Sequence, residues 1–265
     1  MTASWPARPL ALGAFVKLPT PEVIEVLALC GLDFVVIDNE HASIGPQTVS
    51  TMIAIAQGCG IDAFVRVPGR SAGDVQPPLD AGARGLFLPR IDDVAAAREA
   101  VRACRFPPLG QRGASPSGRA GRWGMDGLAP YIDRGTSAVT LVAQLESVEA
   151  LQTTADIASV PGIDALFIGP ADLSVSAGRS IEDPALQGHI EFACAACRRS
   201  AVPLGTTAPS GVPVQSMAGQ DYRFLTVGTD VGLLAAGAGA AVGAARAIAD
   251  PASGGLTKKE RGLST

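Results

Sequence analysis

Several short apolar runs in this sequence end directly at ionisable or amide side chains. Charged side chains are almost never buried without a partner, so their position at the ends of apolar runs indicates a shared polar rim rather than a core. Such a rim could bind a cation, hold an anionic substrate and move a proton. The residues of this set are Asp38, Glu40, His41, Arg66, Gln144, Glu146 and Asp172.

Glu146 and Asp172 are the pair in this set that could hold a metal ion. They follow consecutive apolar runs, so in a parallel sheet their carboxylates can converge on one divalent cation. Oxygen ligands, with no cysteine and one histidine nearby, favour Mg²⁺ or Mn²⁺ over Zn²⁺, with Co²⁺ as a further candidate. The alternative is that both carboxylates cap helices, an interpretation that is strongest for Asp172, which precedes a polar segment.

Arg66 and His41 could supply the complementary chemistry. The guanidinium of Arg66 combines a fixed charge with a forked set of donors, which suits an enolate or carboxylate oxygen. A salt bridge within the rim would use the same group. His41 is one of two histidines in the chain, and imidazole is the natural proton carrier near neutral pH.

These residues require a fold that brings the ends of many strands to one edge. Short β-branched and aromatic runs alternate with Ala-rich helical stretches, the pattern of βα units around a parallel sheet. Eight such units predict an α/β fold, a closed (β/α)8 TIM barrel with its active site at the carboxyl ends of the strands. The predicted strands are Leu12–Val16, Phe34–Ile37, Ala63–Val67, Gly85–Leu88, Val139–Leu145, Ala165–Ile168, Val202–Gly205 and Arg223–Val227. Helical stretches are predicted near 21–30, 46–58, 73–81, 92–104, 147–158, 183–199, 212–219 and 230–249.

The domain organisation follows from this alternation. Residues 1–249 are predicted to form one barrel domain, and residues 250–265 have the composition of a flexible tail. Residues 106–135 form a long Pro-, Gly- and Arg-rich connection between the fourth and fifth strands. Connections of this length in compact barrels are usually functional.

Composition excludes several classes of protein. The chain has 265 residues, of which 47% are hydrophobic and 17% charged, so it can bury a large core and is not a disordered protein. A net charge of −4 argues against binding to nucleic acid. The longest apolar runs are too short to span a bilayer, and no signal-peptide pattern is present.

The five cysteines indicate a reducing, cytoplasmic location, because their number is odd and each lies in an apolar segment. Cys194 and Cys197 have the spacing of a redox or zinc pair. They fall within a helical stretch with no second cysteine pair nearby. Burial as structural thiols is therefore the favoured interpretation.

In this order, the motifs resemble those of the HpcH/HpaI family of class II pyruvate aldolases. That family includes 4-hydroxy-2-oxo-heptanedioate and 2-keto-3-deoxy-sugar-acid aldolases. The resemblance runs from about Leu12 to Ala247 and implies a barrel of the phosphoenolpyruvate/pyruvate-domain type. Its anchors are GLDFVVIDNEH (31–41), FVRVP (64–68), LDAGARGLFLPRI (79–91), RFPPLGQRG (105–113), RAGRW (119–123), QLE (144–146), GIDALFIGPADLS (162–174) and VGTD (227–230).

The resemblance assigns the binding of metal and pyruvate. It implies that Glu146 and Asp172 ligate a divalent cation, which pyruvate would chelate through its keto and carboxylate oxygens. Arg66 would stabilise the enolate, and Gln144 would contact pyruvate. The backbone N–H groups of Ala171 and Asp172 would hold the pyruvate carboxylate.

Proton transfer is assigned in the same way. His41 and Asp80 would form a dyad that moves a proton, while Asp38 and Glu40 would orient the water involved. The family motif commonly reads Asp-Gly-Glu-His, where this chain has Asn39. The segments 114–117 and 206–216 also depart from the family pattern, so the aldehyde specificity stays open.

The activity implied is the reversible, metal-dependent cleavage of a 4-hydroxy-2-oxo acid to pyruvate and an aldehyde. A citrate- or malyl-CoA-lyase-like enzyme, or another condensing or decarboxylating relative, is the alternative within the same chemistry. A barrel that only binds a 2-oxo acid is the non-enzymatic alternative. A Schiff-base aldolase would require a lysine at a strand end, and Lys17 is the candidate.

The last helical stretch predicts assembly. Val231–Ala249 is almost entirely small or aliphatic, and a helix that is apolar all round must be buried on most of its surface. Packing on its own barrel is one interpretation. The resemblance implies another, a homo-oligomer, commonly a hexamer, in which this helix lies at a subunit interface.

Overall fold

The computed structural model describes residues 5–208 and 222–249, the last two without their side chains. Eight parallel strands pair in sequence order, and β1 pairs with β8 to close the barrel. The (β/α)8 barrel predicted from the sequence is confirmed. The strands are β1 Ala11–Val16, β2 Phe34–Asp38, β3 Asp62–Arg66, β4 Gly85–Leu88, β5 Thr140–Leu145, β6 Ala165–Ile168, β7 Leu204–Thr207 and β8 Tyr222–Thr229.

The helices surround this barrel, with more segments than the sequence pattern predicts. The stretch predicted over 147–158 is two short helices separated at Thr153, and an additional helix follows β6 directly. The predicted helix near 212–219 and the predicted tail 250–265 lie outside the described residues. The α-helices are α1 Glu22–Leu29, α2 Pro46–Cys59, α3 Ala72–Asp80, α4 Val94–Cys104, α5 Leu128–Ser137, α6 Val148–Gln152, α7 Thr154–Ala158, α8 Pro170–Ala177, α9 Pro184–Ser200 and α10 Asp230–Ala249.

The connection over 106–135 is more ordered than a loop. It contains a 3-10 turn, Arg119–Gly124, and helix α5. Tyr131 of α5 is buried and its ring packs edge-on against Phe106, with the centroids 5.4 Å apart. This connection is therefore a packed element on the outside of the barrel.

Aromatic side chains fill the barrel interior. Trp5 lies beneath the strands, 4.7 Å from the rings of both Phe64 and Phe224, and its indole N–H donates to Asp62 at 3.0 Å. A larger aliphatic cluster packs the outer faces of the strands against the helices. Packing thus fixes the strands, whose carboxyl ends carry the polar rim. The interior cluster consists of Trp5, Ala11, Phe15, Phe34, Val36, Phe64, Phe87, Val142, Ala165, Phe167 and Phe224.

Gly13 leaves space for one of these rings, so we expect Gly13→Ala to destabilise the barrel. A Cβ at this position would lie 2.5 Å from Phe34 Cε2. Overpacking of this kind typically costs about 1–3 kcal/mol. The matched control is Gly188→Ala in α9, where no atom beyond the neighbouring residues and the backbone of the helix itself lies within 4 Å of the added carbon, and a gain of up to about 1 kcal/mol is expected. Urea denaturation of both variants checks the two signs, and an unchanged midpoint for Gly13→Ala would contradict the packing argument.

The cysteine pair is buried, as the structural interpretation requires. Cys194 and Cys197 are free thiols on the inner face of α9, and burial raises the pKa of Cys197 to about 12. Cys194 Sγ lies 3.9 Å from the hydroxyl of Tyr222. Protonated, buried thiols of this kind act as small apolar side chains.

Two further observations concern surfaces. Among the described residues, no helix combines the length and the apolar character that crossing a membrane would require.

Helix α10 is exposed from Val231 to at least Arg246, so it does not pack onto its own barrel along its length. The interpretation of this helix as an ordinary barrel helix is therefore wrong.

Candidate active site

Asp38 and Arg66 form the buried centre of the polar rim. They are the last residues of the adjacent strands β2 and β3 and are paired in register. Arg66 Nε donates to Asp38 Oδ1 at 3.0 Å and Arg66 Nη2 to Asp38 Oδ2 at 2.8 Å, a bidentate pair. Arg66 also lies over the Phe15 ring, with Cζ 4.7 Å from the centroid. The guanidinium is thereby held on two sides.

Lys17 extends this pair into a three-residue cluster. Its Nζ lies 2.7 Å from Asp38 Oδ2. Burial alone would raise the pKa of Asp38, but hydrogen bonds from Arg66 and Lys17 outweigh that effect and hold the pKa below its ordinary value. The Asp38 carboxylate thus contacts two cations, Arg66 and Lys17, and is held in its ionised form.

Glu40 and His41 are positioned by the same aspartate. Their backbone N–H groups donate to Asp38 Oδ1 at 3.2 and 3.1 Å, which turns the chain sharply after β2. Glu40 Oε2 lies 3.6 Å from Arg66 Nε and 3.6 Å from His41 Nε2. The His41 side chain is 50% exposed at the cavity mouth. It can therefore exchange a proton with both solvent and the cavity.

Glu146 carries the least compensated charge in the rim. It is buried just beyond β5, where its Oε1 accepts from Gln144 Nε2 at 3.0 Å and its Oε2 from the Arg90 N–H at 3.0 Å. Burial raises the pKa of Glu146 to about 7; the Arg90 N–H opposes the rise, while the nearby carboxylates of Asp172 and Glu40 add to it. A bound divalent cation would remove this penalty, because it would favour the ionised carboxylates.

The donor set fits a cation that is completed by its substrate. Glu146 and Asp172 line the same cavity, and the buried Gln144 Oε1 has no hydrogen-bond partner in the part of the chain that the structure describes. Within the described residues, no group of three or more His, Cys, Asp and Glu side chains is arranged to hold a metal ion. Two carboxylates leave most positions of a six-coordinate Mg²⁺ or Mn²⁺ open to water and to a 2-oxo acid.

Helix α8 brings Asp172 and its neighbours to this site. Pro170 is the first helical residue, and it lacks an N–H group. The next N–H groups, those of Ala171 and Asp172, belong to the first turn, where donors lack partners within the helix and favour anions. Gly169 permits the close approach, since a Cβ there would lie 3.1 Å from Glu146 Cγ.

The rim encloses a cavity of about 530 Å³ at the carboxyl ends of the strands. Its walls are contributed by the segments after β2, β3, β4, β5 and β6. The lining residues are Glu40, His41, Pro68, Arg90, Asp92, Glu146, Ser147, Asp172, Val175 and Ser176.

Asp80 lies apart from this cavity. Its Oδ1 accepts from Arg112 Nη2 at 2.7 Å and from the Tyr131 hydroxyl at 3.0 Å. The nearest carboxylate recorded for His41 is that of Glu40. Within one chain, the described residues therefore do not form the His41–Asp80 dyad that the resemblance implies, because α3 ends on the outer side of the barrel.

Three residues take positions that the sequence pattern does not reveal. Lys17 is held in an ion pair, and the Asp230 carboxylate accepts from the Lys17 and Leu18 N–H groups at 3.0 and 2.9 Å. Arg90 adopts a left-handed conformation, with φ 52°, which directs its N–H to Glu146. Strained backbone of this kind is concentrated at functional sites. Arg90 and Asp230 lie just after β4 and β8, and their polar character at strand ends was the feature of the sequence that could have identified them.

Carboxylates, the Arg66–Asp38 pair and His41 gather at the carboxyl ends of a closed parallel barrel, which is the arrangement of a (β/α)8-barrel enzyme. The chain belongs to the HpcH/HpaI aldolase/citrate lyase family, whose sequence pattern matches residues 11–236. It is accordingly an enzyme of the pyruvate-aldolase type, a carbon–carbon lyase.

Individual relatives agree with this assignment. The chain is 38% identical to a 4-hydroxy-2-oxovalerate aldolase from Novosphingobium aromaticivorans over 64% of each chain. It is 35% identical to a hydroxypyruvate/pyruvate aldolase from Delftia acidovorans over 91% of this chain and 90% of that protein. A crystal structure of an HpcH/HpaI family protein from Burkholderia cenocepacia superposes with a TM-score of 0.84 at 32% identity, covering 89% of this chain and 94% of that one.

Proposed function

We propose that this enzyme cleaves a 4-hydroxy-2-oxo acid reversibly to pyruvate and an aldehyde, with a divalent cation held by Glu146 and Asp172. The observation that carries the proposal is the convergence of these carboxylates with the Arg66–Asp38 pair at one rim, in a chain of this family. Mg²⁺ and Mn²⁺ suit the oxygen ligands, and Co²⁺ is a further candidate. When bound, the cation would polarise the keto group of pyruvate and lower the pKa of the adjacent methyl group.

The protein groups divide the remaining work. The Arg66 guanidinium, preorganised by Asp38 and Phe15, stabilises the negative charge that develops on the keto oxygen. The N–H groups of Ala171 and Asp172 hold the pyruvate carboxylate. Gln144 contacts pyruvate through its unpartnered oxygen or its amide.

Proton movement is assigned to the mouth of the cavity. His41 carries a proton between solvent and the reacting hydroxyl, and Glu40, 3.6 Å away, orients its ring. Asp38 fixes both residues through their backbone N–H groups. In the synthetic direction, the pyruvate methyl group loses a proton, the resulting enolate carbon bonds to the aldehyde carbon, and the aldehyde oxygen gains a proton.

The position of Lys17 argues against a Schiff-base mechanism. A lysine that attacks a carbonyl must be neutral, but Lys17 Nζ lies 2.7 Å from an aspartate whose charge is itself stabilised. We therefore assign Lys17 to the support of Asp38 and not to covalent catalysis.

Proton exchange of pyruvate in D₂O tests the proposed function. The enzyme with Mg²⁺ is expected to exchange the methyl protons of pyruvate, measured by ¹H NMR, and to consume pyruvate when an aldehyde is added. Borohydride treatment with pyruvate should leave the mass of the protein unchanged. Absence of exchange would indicate a barrel that only binds 2-oxo acids, and a borohydride-trapped adduct on Lys17 would replace the metal-dependent mechanism with a covalent one.

We also propose a homo-oligomer, a hexamer by resemblance, in which α10 packs on a neighbouring subunit. The support is a helix of small and aliphatic residues that one chain leaves exposed, with Leu234 65% exposed. We infer a cytoplasmic location from the free thiols, two of which, Cys30 and Cys59, are exposed.

A charge on α10 is expected to break this assembly. Leu234→Asp places a carboxylate in the proposed interface at a side chain that is 65% exposed in one chain, so light scattering should show smaller species. Ala95→Asp on the exposed face of α4 is the matched control and should leave the mass unchanged. A monomeric wild-type protein at micromolar concentration would refute the proposal.

A further inference from the structure

A second cavity, of about 340 Å³, lies on the outside of the barrel at the amino-terminal ends of β4 and β5. Arg84 directly precedes β4 and Val139 directly precedes β5, and both residues line this cavity. It is therefore at the opposite end of these strands from the candidate active site. We call it the arginine cavity, because its walls include Arg84, Arg112, Arg119, Arg122 and Arg134.

The arginine cavity is strongly basic. Among the described residues that line it, none is acidic. Asp126 lies behind the wall, where its Oδ2 accepts from both Arg122, at 3.3 Å, and Arg134, at 2.8 Å. Arg119 Nε donates to an uncharged partner, Gln57 Oε1, at 3.1 Å. Arg84 pairs with Asp62 at 3.6 Å and Arg112 with Asp80 at 2.7 Å. Among the described residues, the five guanidinium groups therefore have ion pairs with three carboxylates, Asp62, Asp80 and Asp126.

Buried donors remain without partners in this cavity. The Arg112 side chain is 1% exposed, and only its Nη2 is hydrogen-bonded, to Asp80 and Tyr131. Its Nε and Nη1, together with Nη2 of Arg134, are buried and have no hydrogen-bond partner among the residues that the structure describes. A buried donor that lacks a partner costs about 1–3 kcal/mol, and more when it is charged. Unpartnered donors in one basic cavity indicate a missing acceptor.

The guanidinium of Arg112 is fixed in place. Its Cζ lies 4.6 Å from the centroid of the Phe106 ring, which packs on one face of the group. The wall near Arg122 is held in a constrained conformation, since Arg122 and Trp123 both have positive φ, 50° and 58°. The donors of Arg112 are therefore preorganised and not free to rotate into solvent.

We propose that the arginine cavity binds a phosphate group, either inorganic phosphate or the phosphate of a small metabolite. A phosphate presents several acceptor oxygens and close to two negative charges, which match the unpartnered N–H groups and the excess of guanidinium charge. The volume of about 340 Å³ accommodates a small phosphate ester as well as the free ion. The site is separate from the aldolase cavity, and nothing in the proposed reaction uses it.

Titration of the full-length enzyme with inorganic phosphate in the presence of Mg²⁺ tests this site. At constant ionic strength, phosphate should raise the melting temperature progressively, because a ligand that binds only the folded state stabilises it by mass action. Chloride should not have this effect. A parallel titration with glycerol 3-phosphate distinguishes the sources: tighter binding than that of free phosphate identifies a metabolite, and equal binding identifies the ion.

Variants locate the binding. Arg119→Gln combined with Arg134→Gln should weaken phosphate binding at least about tenfold, since each removes a charge-assisted hydrogen bond. Arg98→Gln, an exposed arginine on α4 outside the cavity, is the matched control and should bind as the wild type does. Unchanged phosphate binding in the double variant would overturn the proposal.

A measurement on the wild-type enzyme covers the case in which the double variant does not fold. Phenylglyoxal labelling read by mass spectrometry should show that phosphate protects Arg119, Arg122 and Arg134 but not Arg98. Equal labelling with and without phosphate would overturn the site. A second result would also overturn the site: arginines that are protected in the assembled enzyme without phosphate and become labelled when the subunits dissociate. In that case a second copy of the chain would fill the cavity.

Discussion

Removal of divalent cations with EDTA is expected to abolish both pyruvate methyl exchange and aldol cleavage, and Mg²⁺ or Mn²⁺ should restore them. The loss should exceed about 10³-fold, because polarisation of the keto group by a cation contributes several kcal/mol. Glu146 and Asp172 are the carboxylates proposed to hold the ion, and two protein ligands imply exchangeable binding. Stopped assays after chelation and titration with each cation measure the effect.

Glu146→Gln sharpens this prediction. The substitution preserves shape but removes the charge, so much more Mg²⁺ should be needed for half-maximal activity. Glu99→Gln, an exposed carboxylate paired with Arg70, is the control and should leave the requirement unchanged. Full activity after exhaustive chelation would exclude a role for the cation and with it the assignment of Glu146 and Asp172.

Arg66→Lys is expected to slow methyl exchange by about 10²–10³-fold, the range for removal of one preorganised donor to an oxyanion. Lysine keeps the positive charge but cannot form the two parallel hydrogen bonds to Asp38. Arg66→Ala would additionally leave the buried Asp38 with Lys17 as its one cationic partner among the described residues, which makes the lysine variant the cleaner test. The rate constant of exchange should fall more than the affinity for pyruvate.

His41→Asn separates proton transfer from enolate stabilisation. It should lower the rate of aldol cleavage by about 10²-fold or more while pyruvate binding, measured by calorimetry, persists. The Arg66 and His41 variants thus differ in the step that they impair. Wild-type exchange rates in Arg66→Lys would contradict the role given to the guanidinium.

The strands were the most predictable part of this fold. Runs such as Phe34–Ile37 are buried and β-branched, and their local pattern suffices to place them. The seventh strand lies two residues later than predicted. It begins at Leu204 and not at Val202, because Pro203 has no N–H to donate to a neighbouring strand. The stretch 147–158 divides at Thr153, whose φ of −99° and ψ of 10° depart from helical values.

Placement of the polar rim was predictable for the same reason. Asp38 and Arg66 end the adjacent strands β2 and β3, and Glu146 directly follows β5. Barrel closure brings the carboxyl ends of these strands to one rim. The ion pair of Lys17 and the partners of Asp80 were not predictable, since they depend on contacts between segments far apart in the chain. No local periodicity encodes such contacts. For Asp80, the motif resemblance implied His41 as the partner, whereas within one chain Asp80 accepts from Arg112 and Tyr131.

Asp230 joins the beginning and the end of the chain: its carboxylate accepts from Lys17 and Leu18, a sequence separation of 213 and 212 residues. Contacts between residues so far apart in the chain have a large loop-closure entropy cost, which slows their formation. During synthesis, the Lys17 and Leu18 N–H groups at the end of β1 therefore gain their hydrogen bonds only after Asp230, which follows β8, has been made. A ribosome-bound chain that ends before Asp230 lacks these hydrogen bonds. A chain that also lacks β8 leaves the edges of β1 and β7 unpaired.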